Sequence, residues 1–469
     1  MSDYKMLIGG RLVEGDHQLD VINPATEEVF ATVARASERQ ADEAIEAAAT
    51  AFPGWAETPM AERQAKVSEL ADAIAANADK LARALTQEQG KPLAEAQGEI
   101  AWAEGYLRHY ATLAIAERTI QDDASGLIQV RRKPLGVVAG IIAWNFPLLV
   151  ACWKIGPAVI AGNTIVLKPA PTTPVTALML GELCRDIFPA GVVNIITDAN
   201  DLGGYLTADP RIAKVGFTGS TATGKKIMAS AADGLKRLTL ELGGNDPGIV
   251  LDDVDVRATA QGIFNAAFLN CGQVCLAIKR AYVHDSIYDA MCDELARIAE
   301  AAVVDDGLAQ GAQIGPIQNK AQYEKVKGFL ERARTDGTII AGGEVIDRAG
   351  YFMRPTIVRD VTDGDQIVDE EQFGPILPVI RFSDIDDVVA RANASPYGLG
   401  ASVWSRDVDR AVAVADRIES GSVWVNQHIA IGPHIPMAGV KSSGLGVEQS
   451  EEGLAEYTQL SVINVARGG

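Results

Sequence analysis

The chain has 469 residues, of which 48% are hydrophobic and 22% charged, and its formal net charge at pH 7 is -20. Because a single hydrophobic core stops growing at roughly 250–300 residues, this length predicts at least two domains. An acidic surface repels phosphate backbones and anionic lipids, so neither a nucleic acid nor a membrane is an expected partner.

The N-terminal segment MSDYKMLIGG lacks a long apolar core followed by a small-residue cleavage site, so no signal peptide is predicted. The odd count of five cysteines argues against a disulfide framework and favours a reducing cytoplasm. Residues 137–159 form an apolar run long enough to suggest a membrane span. Asn145, Pro147, Lys154 and Pro157 interrupt it, so we predict a buried strand, a turn and a helix there.

Helical patterns occupy the first part of the chain. Ser37 and Gln40 form a capping box before the alanine-rich stretch ADEAIEAAATAF. A second helix is predicted from Pro59 until Gly90 and Pro92 stop it. Its apolar positions follow one helical period: Val67, Leu70, Ile74, Leu81 and Leu85.

From residue 135 the pattern changes to short β-branched runs separated by helical stretches. The runs are GVVAGII, NTIVLKP, VVNIIT, AKVGFTG, RLTLELGG and PGIVLDD. This alternation predicts βαβ units and a mostly parallel sheet that is covered on both faces. A second set of strands follows near RAYVH, PVIRF, ASVWS and GSVWVN. We therefore predict the α/β class, with two α/β domains that meet near Gly244.

A glycine-rich segment, GSTATGKK at residues 219–226, follows the strand-like run KVGFT. It nearly matches the phosphate loop of nucleotide hydrolases, but Lys226 stands where a hydroxyl must hold Mg²⁺. A strand followed by glycine and a helix N-terminus still suits the pyrophosphate of a dinucleotide. The spacing alone also fits a simple turn that opens a helix, and no GxGxxG fingerprint is present.

The segment NCGQVCLAIKR contains two cysteines, Cys271 and Cys275, four residues apart. A structural zinc site needs four ligands, and the five histidines are scattered, so no metal site is predicted. His428 and His434 flank a glycine–proline turn and are expected at the mouth of a pocket. A nucleophilic cysteine needs thiolate character and backbone dipoles, which the turn at Gly272 can expose.

Ordered motifs along nearly the whole chain resemble those of the aldehyde dehydrogenase superfamily. They are NPAT at 23–26, EQGKP at 88–92, AWNFP at 143–147, LKP at 167–169, FTGST at 217–221, ELGG at 241–244, GQVC at 272–275, EEQFGP at 370–375 and the loop 424–444. The resemblance implies an aldehyde dehydrogenase-like fold, with a Rossmann-like cofactor domain, an α/β catalytic domain and a β-arm.

The resemblance also implies the chemistry. Cys275 aligns with the nucleophile that attacks the aldehyde, and Cys271 is a packed neighbour. The Asn145 amide and the Cys275 N–H would stabilise the oxyanion, and Glu241 would activate the water that hydrolyses the thioester. Relatives that acylate coenzyme A commonly lack this glutamate, so its presence favours a carboxylic acid product. A coenzyme-A-acylating enzyme and a catalytically silent member remain alternatives.

Cofactor residues carry over in the same way. The implied set is Trp144, Lys168, Gly219, Ser220, Leu242, Glu371 and Phe373. One position departs from the pattern. NAD-preferring relatives often carry a glutamate three residues after Lys168, where this chain has Pro171. Proline neither repels nor binds a 2′-phosphate, so NADP stays open beside NAD, which we favour.

The resemblance places a substrate tunnel along Leu149, Trp153, Phe268, Leu269, Ile431 and Met437. Relatives that oxidise semialdehydes commonly carry an arginine where Leu269 stands. An unpaired carboxylate in an apolar tunnel is costly, so we expect a neutral aldehyde, aromatic or medium-chain aliphatic, with a semialdehyde as the alternative.

The resemblance divides the chain into three parts. Residues 1–111 and 132–242 would bind the dinucleotide, 243–443 would form the catalytic domain, and 112–131 with 444–469 would form an oligomerisation arm. Exposed strand edges need partners, so a homodimer or homotetramer is expected.

Overall fold

The computed structural model describes residues 2–467 as a mixed α/β protein. Its strands are β1 Met6–Ile8, β2 Arg11–Val13, β3 His17–Ile22, β4 Val29–Arg35, β5 Arg118–Asp123, β6 Gly126–Pro134, β7 Val137–Ile141, β8 Thr164–Lys168, β9 Val193–Ile195, β10 Ile212–Thr218, β11 Arg237–Glu241, β12 Asp246–Val250, β13 Ile278–His284, β14 Thr338–Ala341, β15 Thr356–Val361, β16 Ile376–Phe382, β17 Tyr397–Gly398, β18 Gly400–Trp404, β19 Ser422–Val425, β20 Val440–Lys441, β21 Gly444–Leu445 and β22 Thr458–Ala466.

The helices cover the faces of the sheets and the connections between strands. They are α1 Glu38–Glu57, α2 Met60–Ala76, α3 Ala78–Gln89, α4 Leu93–Tyr110, α5 Pro147–Ile160, α6 Val175–Ile187, α7 Gly203–Ala208, α8 Thr221–Ala231, α9 Val256–Phe268, α10 Tyr288–Ala301, α11 Lys320–Asp336, α12 Gln366–Asp369, α13 Ile385–Asn393, α14 Val408–Ala415 and α15 Ser450–Ala455.

The first sheet has eight strands in the order β2-β1-β9-β8-β7-β10-β11-β21. Its centre, β9-β8-β7-β10-β11, is parallel, and antiparallel strands complete both edges. The central strands β7 and β8 are buried at every position, as expected for parallel strands with helices on both faces. The run at 137–159 becomes β7, a turn and the buried helix α5, which confirms the prediction made for it.

The second sheet has seven strands in the order β14-β15-β16-β13-β12-β18-β19, and only β14 is antiparallel to its neighbour. The chain leaves the first sheet after Glu241 and enters the second at Asp246. Each sheet has its own buried cluster of apolar side chains. The predicted α/β class is therefore confirmed.

A third sheet of three strands, β22-β6-β5, stands apart from the two large ones. Nine residue pairs join β6 to β22 in antiparallel register, from Thr458 opposite Pro134 to Ala466 opposite Gly126. We call this three-stranded sheet the arm.

One helix prediction needs correction. The capping box of Ser37 and Gln40 is present at the start of α1. The single helix predicted from Pro59 to Gly90 is instead two helices, α2 and α3, which break at Asn77. Asn77 has φ -111° and ψ 14°, outside the helical region, and its side chain donates to the Ala73 carbonyl at 2.8 Å. The apolar period runs through the break because both helices bury the same side. Within residues 2–467, no helix is long and apolar enough to cross a membrane.

Candidate active site

The site lies at the carboxyl edge of the first sheet. Lys168 ends β8, Thr218 ends β10 and Glu241 ends β11, and Asn145 follows the end of β7. Carboxyl ends of parallel strands meet at one edge of a sheet, and ligands of open α/β sheets bind in the crevice there. The order of the strands thus gathers residues that are up to about a hundred positions apart in sequence.

The segment before Cys275 has an unusual backbone. Asn270, Cys271 and Gly272 have consecutive positive φ values of 50°, 59° and 72°. A Cβ on Gly272 would lie 2.3 Å from the carbonyl oxygen of Gly374, so the close approach requires glycine. The turn leaves Cys275 half-buried, whereas Cys271 and the other three cysteines are buried.

Hydrogen bonds hold Asn145 against this turn. Its side-chain Nδ2 donates to the Gln273 carbonyl at 3.0 Å. Its own carbonyl accepts from Asn270 Nδ2 and from the buried Lys91 Nζ, each at 2.9 Å. Lys91 is in turn paired with Glu99 at 2.5 Å. The amide of Asn145 therefore has a fixed position beside the Cys275 segment, with one N–H left for another acceptor.

Two cavities meet at Cys275. The one on the cofactor side has a volume of about 170 Å³ and contains seven predicted residues beside the thiol in its wall. These are Trp144, Asn145, Gly219, Ser220, Leu242, Glu371 and Phe373. The other cavity is narrow and mainly apolar, with a volume of about 40 Å³. Its wall contains Cys275, Asn145 and Glu241 together with Leu149, Trp153, Leu269, Ile431 and Met437.

A larger cleft of about 570 Å³ continues from the cofactor side along the sheet edge. Trp144, Lys168, Gly219 and Ser220 line it. Ser220 caps helix α8, and its side chain accepts from the Thr223 N–H. Free N–H groups at such a helix start, with no side chain on Gly219, suit a pyrophosphate. Lys168 Nζ is also paired with the buried Asp198 at 2.7 Å.

Glu371 and Phe373 lie in the loop between α12 and β16 and line the cofactor-side cavity where it faces the second sheet. Glu371 Oε1 accepts the Gly244 N–H at 3.1 Å. The ring of Phe373 meets Trp144 edge to face, with centroids 5.3 Å apart. Phe373 has a positive φ of 52°, an uncommon conformation for an aromatic residue. The two sheets therefore supply opposite walls of the cavity.

Burial dominates the electrostatics of Cys275 and Glu241, the two side chains predicted to react. The pKa of the Cys275 thiol is raised to about 12, mainly by burial; Glu241, Asp246 and Glu371 act in the same direction and Lys279 opposes them. Burial also raises the pKa of Glu241 well above its ordinary value, and the negative charge of Glu448 is the second cause of this rise. Neither carboxyl oxygen of Glu241 has a hydrogen-bond partner in the described part of the chain. Burial therefore favours the protonated, neutral form of both groups in this conformation.

One residue predicted for the tunnel lies elsewhere. Phe268 packs against Phe264, with ring centroids 4.6 Å apart, and lines a separate cavity behind the Cys275 segment. Phe268 is absent from the wall of the apolar cavity, whereas Leu269 lines both cavities. Helix α9 ends at Phe268, and Leu269 has φ -50° and ψ 136°, outside the helical region. Motif alignment alone does not show which of these two neighbours lines the cavity.

Several wall residues were not singled out from the sequence. Trp102, Phe146 and Ile429 line the apolar cavity. Thr218 lines both cavities at Cys275 and its buried hydroxyl has no partner within residues 2–467. Thr218 lies inside the FTGST motif, so its place at the end of β10 was the available signal.

His428 was expected at a pocket mouth, and this was wrong. Its side chain is fully buried, and Nε2 lies 2.7 Å from the Leu276 carbonyl. Burial lowers the pKa of His428 to about 3, so the imidazole is neutral and packs against Trp424. His428 therefore contacts the backbone of the segment that follows Cys275.

Comparison with known proteins agrees with this geometry. Residues 12–463 match the aldehyde dehydrogenase family. A phenylacetaldehyde dehydrogenase of Pseudomonas fluorescens is 40% identical over 481 residues, covering 99% of this chain and 96% of the relative. The NADP(+) succinate-semialdehyde dehydrogenase of Escherichia coli is 38% identical, with 97% and 96% covered.

Solved structures show the same fold. The NAD+ complex of an aldehyde dehydrogenase from Bacillus cereus superposes with a TM-score of 0.96 at 38% identity, covering 99% of this chain and 96% of that one. Identity of this extent over full-length chains, together with the matching fold, leads to one conclusion: the chain belongs to the aldehyde dehydrogenase family.

Proposed function

We propose that the chain oxidises a neutral, largely apolar aldehyde to the carboxylic acid, with NAD or NADP as the hydride acceptor. The observation that carries this proposal is the position of Cys275 in a wall shared by two cavities. One cavity opens toward the helix α8 cleft and the other is apolar. A nucleophile there can reach an aldehyde on one side while a flat cofactor ring lies on the other.

The reaction begins at sulfur. Cys275 Sγ loses its proton to a water molecule in the cavity and forms a bond to the aldehyde carbon, and the carbonyl π electrons move to oxygen. The Asn145 N–H and the Cys275 backbone N–H then donate to this alkoxide. A nicotinamide held in the cofactor cavity would accept the hydride that leaves the former aldehyde carbon. Cys275 is left as a thioester.

Water completes the cycle. Glu241 lies in the wall of the apolar cavity, and neither of its carboxyl oxygens has a partner among residues 2–467. A water molecule in the cavity would solvate the carboxyl, favour its ionised form and give up a proton to it as the oxygen attacks the thioester. The C–S bond breaks, the acid leaves and the thiol is restored. The retained carboxyl favours water over coenzyme A as acceptor.

Residues at the edge of the first sheet, together with Glu371 and Phe373 from the second sheet's side, would hold the cofactor. The proposed set is Trp144, Lys168, Gly219, Ser220, Leu242, Glu371 and Phe373, supported by the cleft and cavity they line. The relative named as a succinate-semialdehyde dehydrogenase uses NADP(+), whereas a Bacillus cereus structure holds NAD+. Pro171 offers neither repulsion nor a partner to a 2′-phosphate, so both cofactors belong in the first assay, with NAD favoured.

The resemblance to the family also supports a proposal for the domains and the oligomer. We propose that 1–111 and 132–242 form the cofactor domain, 243–443 the catalytic domain, and 112–131 with 444–469 an oligomerisation region that contains most of the arm. The arm exposes Ile120, Leu460 and Val462 by 59%, 64% and 60%, and these apolar side chains favour a homodimer or homotetramer. Sedimentation velocity separates the two. Five free cysteines support a reducing cytoplasm.

The test is absorbance at 340 nm with NAD and NADP in parallel and a panel of aldehydes of matched size. Phenylacetaldehyde, benzaldehyde and hexanal represent the neutral class, and succinate semialdehyde and glutarate semialdehyde the acidic class. We expect the best neutral aldehyde to exceed the best semialdehyde at least about tenfold in kcat/KM, because the apolar wall offers no partner for a carboxylate. A tenfold preference for a semialdehyde would contradict the substrate class, and no reduction at all would contradict the activity.

Leu269 provides a second test of the substrate class. No lysine or arginine lines the apolar cavity in the described residues. Introducing a cation by Leu269→Arg should raise the ratio of kcat/KM for succinate semialdehyde to that for phenylacetaldehyde by roughly 10-fold or more, since the charge pairs with the carboxylate. Leu269→Met is the matched control and should leave the ratio within about twofold. An unchanged ratio in the arginine variant would mean that this position does not face the substrate.

A further inference from the structure

The buried side chain of Lys279 contacts the backbone of the Cys275 segment. Lys279 is the second residue of β13, and its side chain is 3% exposed. Its Nζ donates to the Cys275 carbonyl at 2.7 Å and to the Val274 carbonyl at 2.9 Å. The same nitrogen lies 3.5 Å from Glu371 Oε1. An ammonium group has three N–H donors; two of them bond the carbonyls of Val274 and Cys275, and the contact with Glu371 is an ion pair.

The contact with the Val274 carbonyl has a geometric consequence. In a trans peptide the carbonyl and the following N–H point in opposite directions. The Val274 carbonyl points to Lys279, so the Cys275 N–H, which belongs to the same peptide, points away from it. That N–H has no protein acceptor in the described chain. The Ala277 N–H also donates to the Val274 carbonyl, at 3.1 Å. Lys279 and this turn together hold the peptide in the orientation that leaves the Cys275 N–H available to an alkoxide at sulfur.

The charge of Lys279 matters as well as its hydrogen bonds. Four charged or titratable groups act on the Cys275 thiol: Glu241, Asp246 and Glu371 raise its pKa, and Lys279 lowers it. Asp246 and Glu371 also face Lys279, as does the neutral His428. Among the groups of residues 2–467 that act on the thiol, Lys279 is therefore the cation, and it is paired with Glu371.

We propose that Lys279 is a positioning residue for the nucleophile, which orients the Val274–Cys275 peptide and supplies the positive charge that a Cys275 thiolate needs. The proposal rests on the proposed function in taking Cys275 as the nucleophile. It adds a regulatory link, because Glu371, one of the residues proposed to hold the cofactor, shares the Lys279 ammonium with the nucleophile segment.

The experiment follows alkylation of Cys275 by iodoacetamide between pH 7 and 10, which requires no aldehyde. Removing a charge within a few ångströms shifts a thiol pKa by roughly one unit or more. A thiol of higher pKa is intrinsically more nucleophilic, which offsets about half of the effect on a logarithmic scale. Lys279→Met should therefore alkylate about 3-fold to 10-fold more slowly than wild type at pH 8.

Matched variants separate charge from hydrogen bonding. Lys279→Gln keeps donors for the two carbonyls without the charge and should slow alkylation as Lys279→Met does, whereas Lys279→Arg should restore most of the rate. Lys327→Met removes a surface lysine whose side chain is 40% exposed and should alkylate at the wild-type rate. Cys275→Ala defines the background from the four buried thiols.

Glu371→Gln removes a negative charge near the thiol and leaves Lys279 in place, so it tests for a change in alkylation rate in the opposite direction. Removing this carboxylate should speed alkylation at pH 8, because its charge raises the pKa of the thiol. Wild-type alkylation in Lys279→Met and Lys279→Gln would overturn the proposal. If those variants fail to fold, Glu371→Gln decides: faster alkylation supports it, and an unchanged or slower rate overturns it. Wild-type protein that alkylates as expected but oxidises no aldehyde would contradict the proposed function alone.

Discussion

Replacing Cys275 with alanine should abolish aldehyde-dependent reduction of NAD, lowering kcat by roughly 10⁴-fold or more. The reason is that hydride leaves readily only from a carbon that bears an alkoxide, and the thiohemiacetal provides that alkoxide. Without sulfur the bound aldehyde has no nucleophile in the wall between the two cavities. The remaining cysteines are buried and cannot replace it.

The measurement is absorbance at 340 nm, with cofactor binding by calorimetry as a control for folding. Since Cys275 touches the cofactor cavity only through its small side chain, the variant should bind NAD with an affinity within a few-fold of wild type. Cys271→Ala is the matched control, and it should retain most of the activity because that thiol faces the apolar core. Substantial activity in Cys275→Ala would contradict the assignment of the nucleophile.

Glu241→Gln should separate the two halves of the reaction. We expect one burst of NADH per active site, followed by turnover slower by about 10²–10⁴-fold, since an amide of equal size cannot take the proton of the attacking water. Thioester formation does not use this carboxyl, so the burst should survive. Rapid-mixing absorbance measures the burst, and intact-protein mass spectrometry should detect the acyl group on Cys275.

The dependence on pH provides an independent check of Glu241. Burial raises its pKa well above the ordinary value, so the ionised base that hydrolysis requires accumulates only as pH rises beyond the usual carboxyl range. The rate of hydrolysis by the wild type should therefore rise with pH above the usual carboxyl range, and the rate of Glu241→Gln should not rise there. A variant with no burst, or with the same rise in rate as the wild type, would show that the carboxyl has another role.

The arrangement of charges supports the proposal that the Cys275 thiol serves as the nucleophile. A thiol whose pKa is about 12 is almost entirely protonated at neutral pH, which protects it from oxidation between turnovers. Attack requires the thiolate, so the energy of its formation must come from groups already in place. The candidates in this structure are the Lys279 charge and the donors around the Cys275 peptide.

Local patterns predicted the elements well where one interaction decides the structure. The capping box at Ser37 depends on residues three apart, and the strand-turn-helix at 137–160 depends on apolar runs and on Pro147. The break at Asn77 was missed because the apolar period continues across it. Periodicity records which side of a helix is buried, and it does not record whether the backbone stays helical.

The amino-acid sequence by itself determined the family, the α/β class and the identity of the residues that could react, because these depend on side-chain chemistry and on motif order. Only the tertiary structure decided which of them share a cavity. It turned Phe268 away from the site, buried His428 and brought Lys279 beneath Cys275. The physical reason is that parallel strands from distant segments meet at one edge of a sheet. The local backbone then sets the direction of each side chain, and burial sets its protonation state.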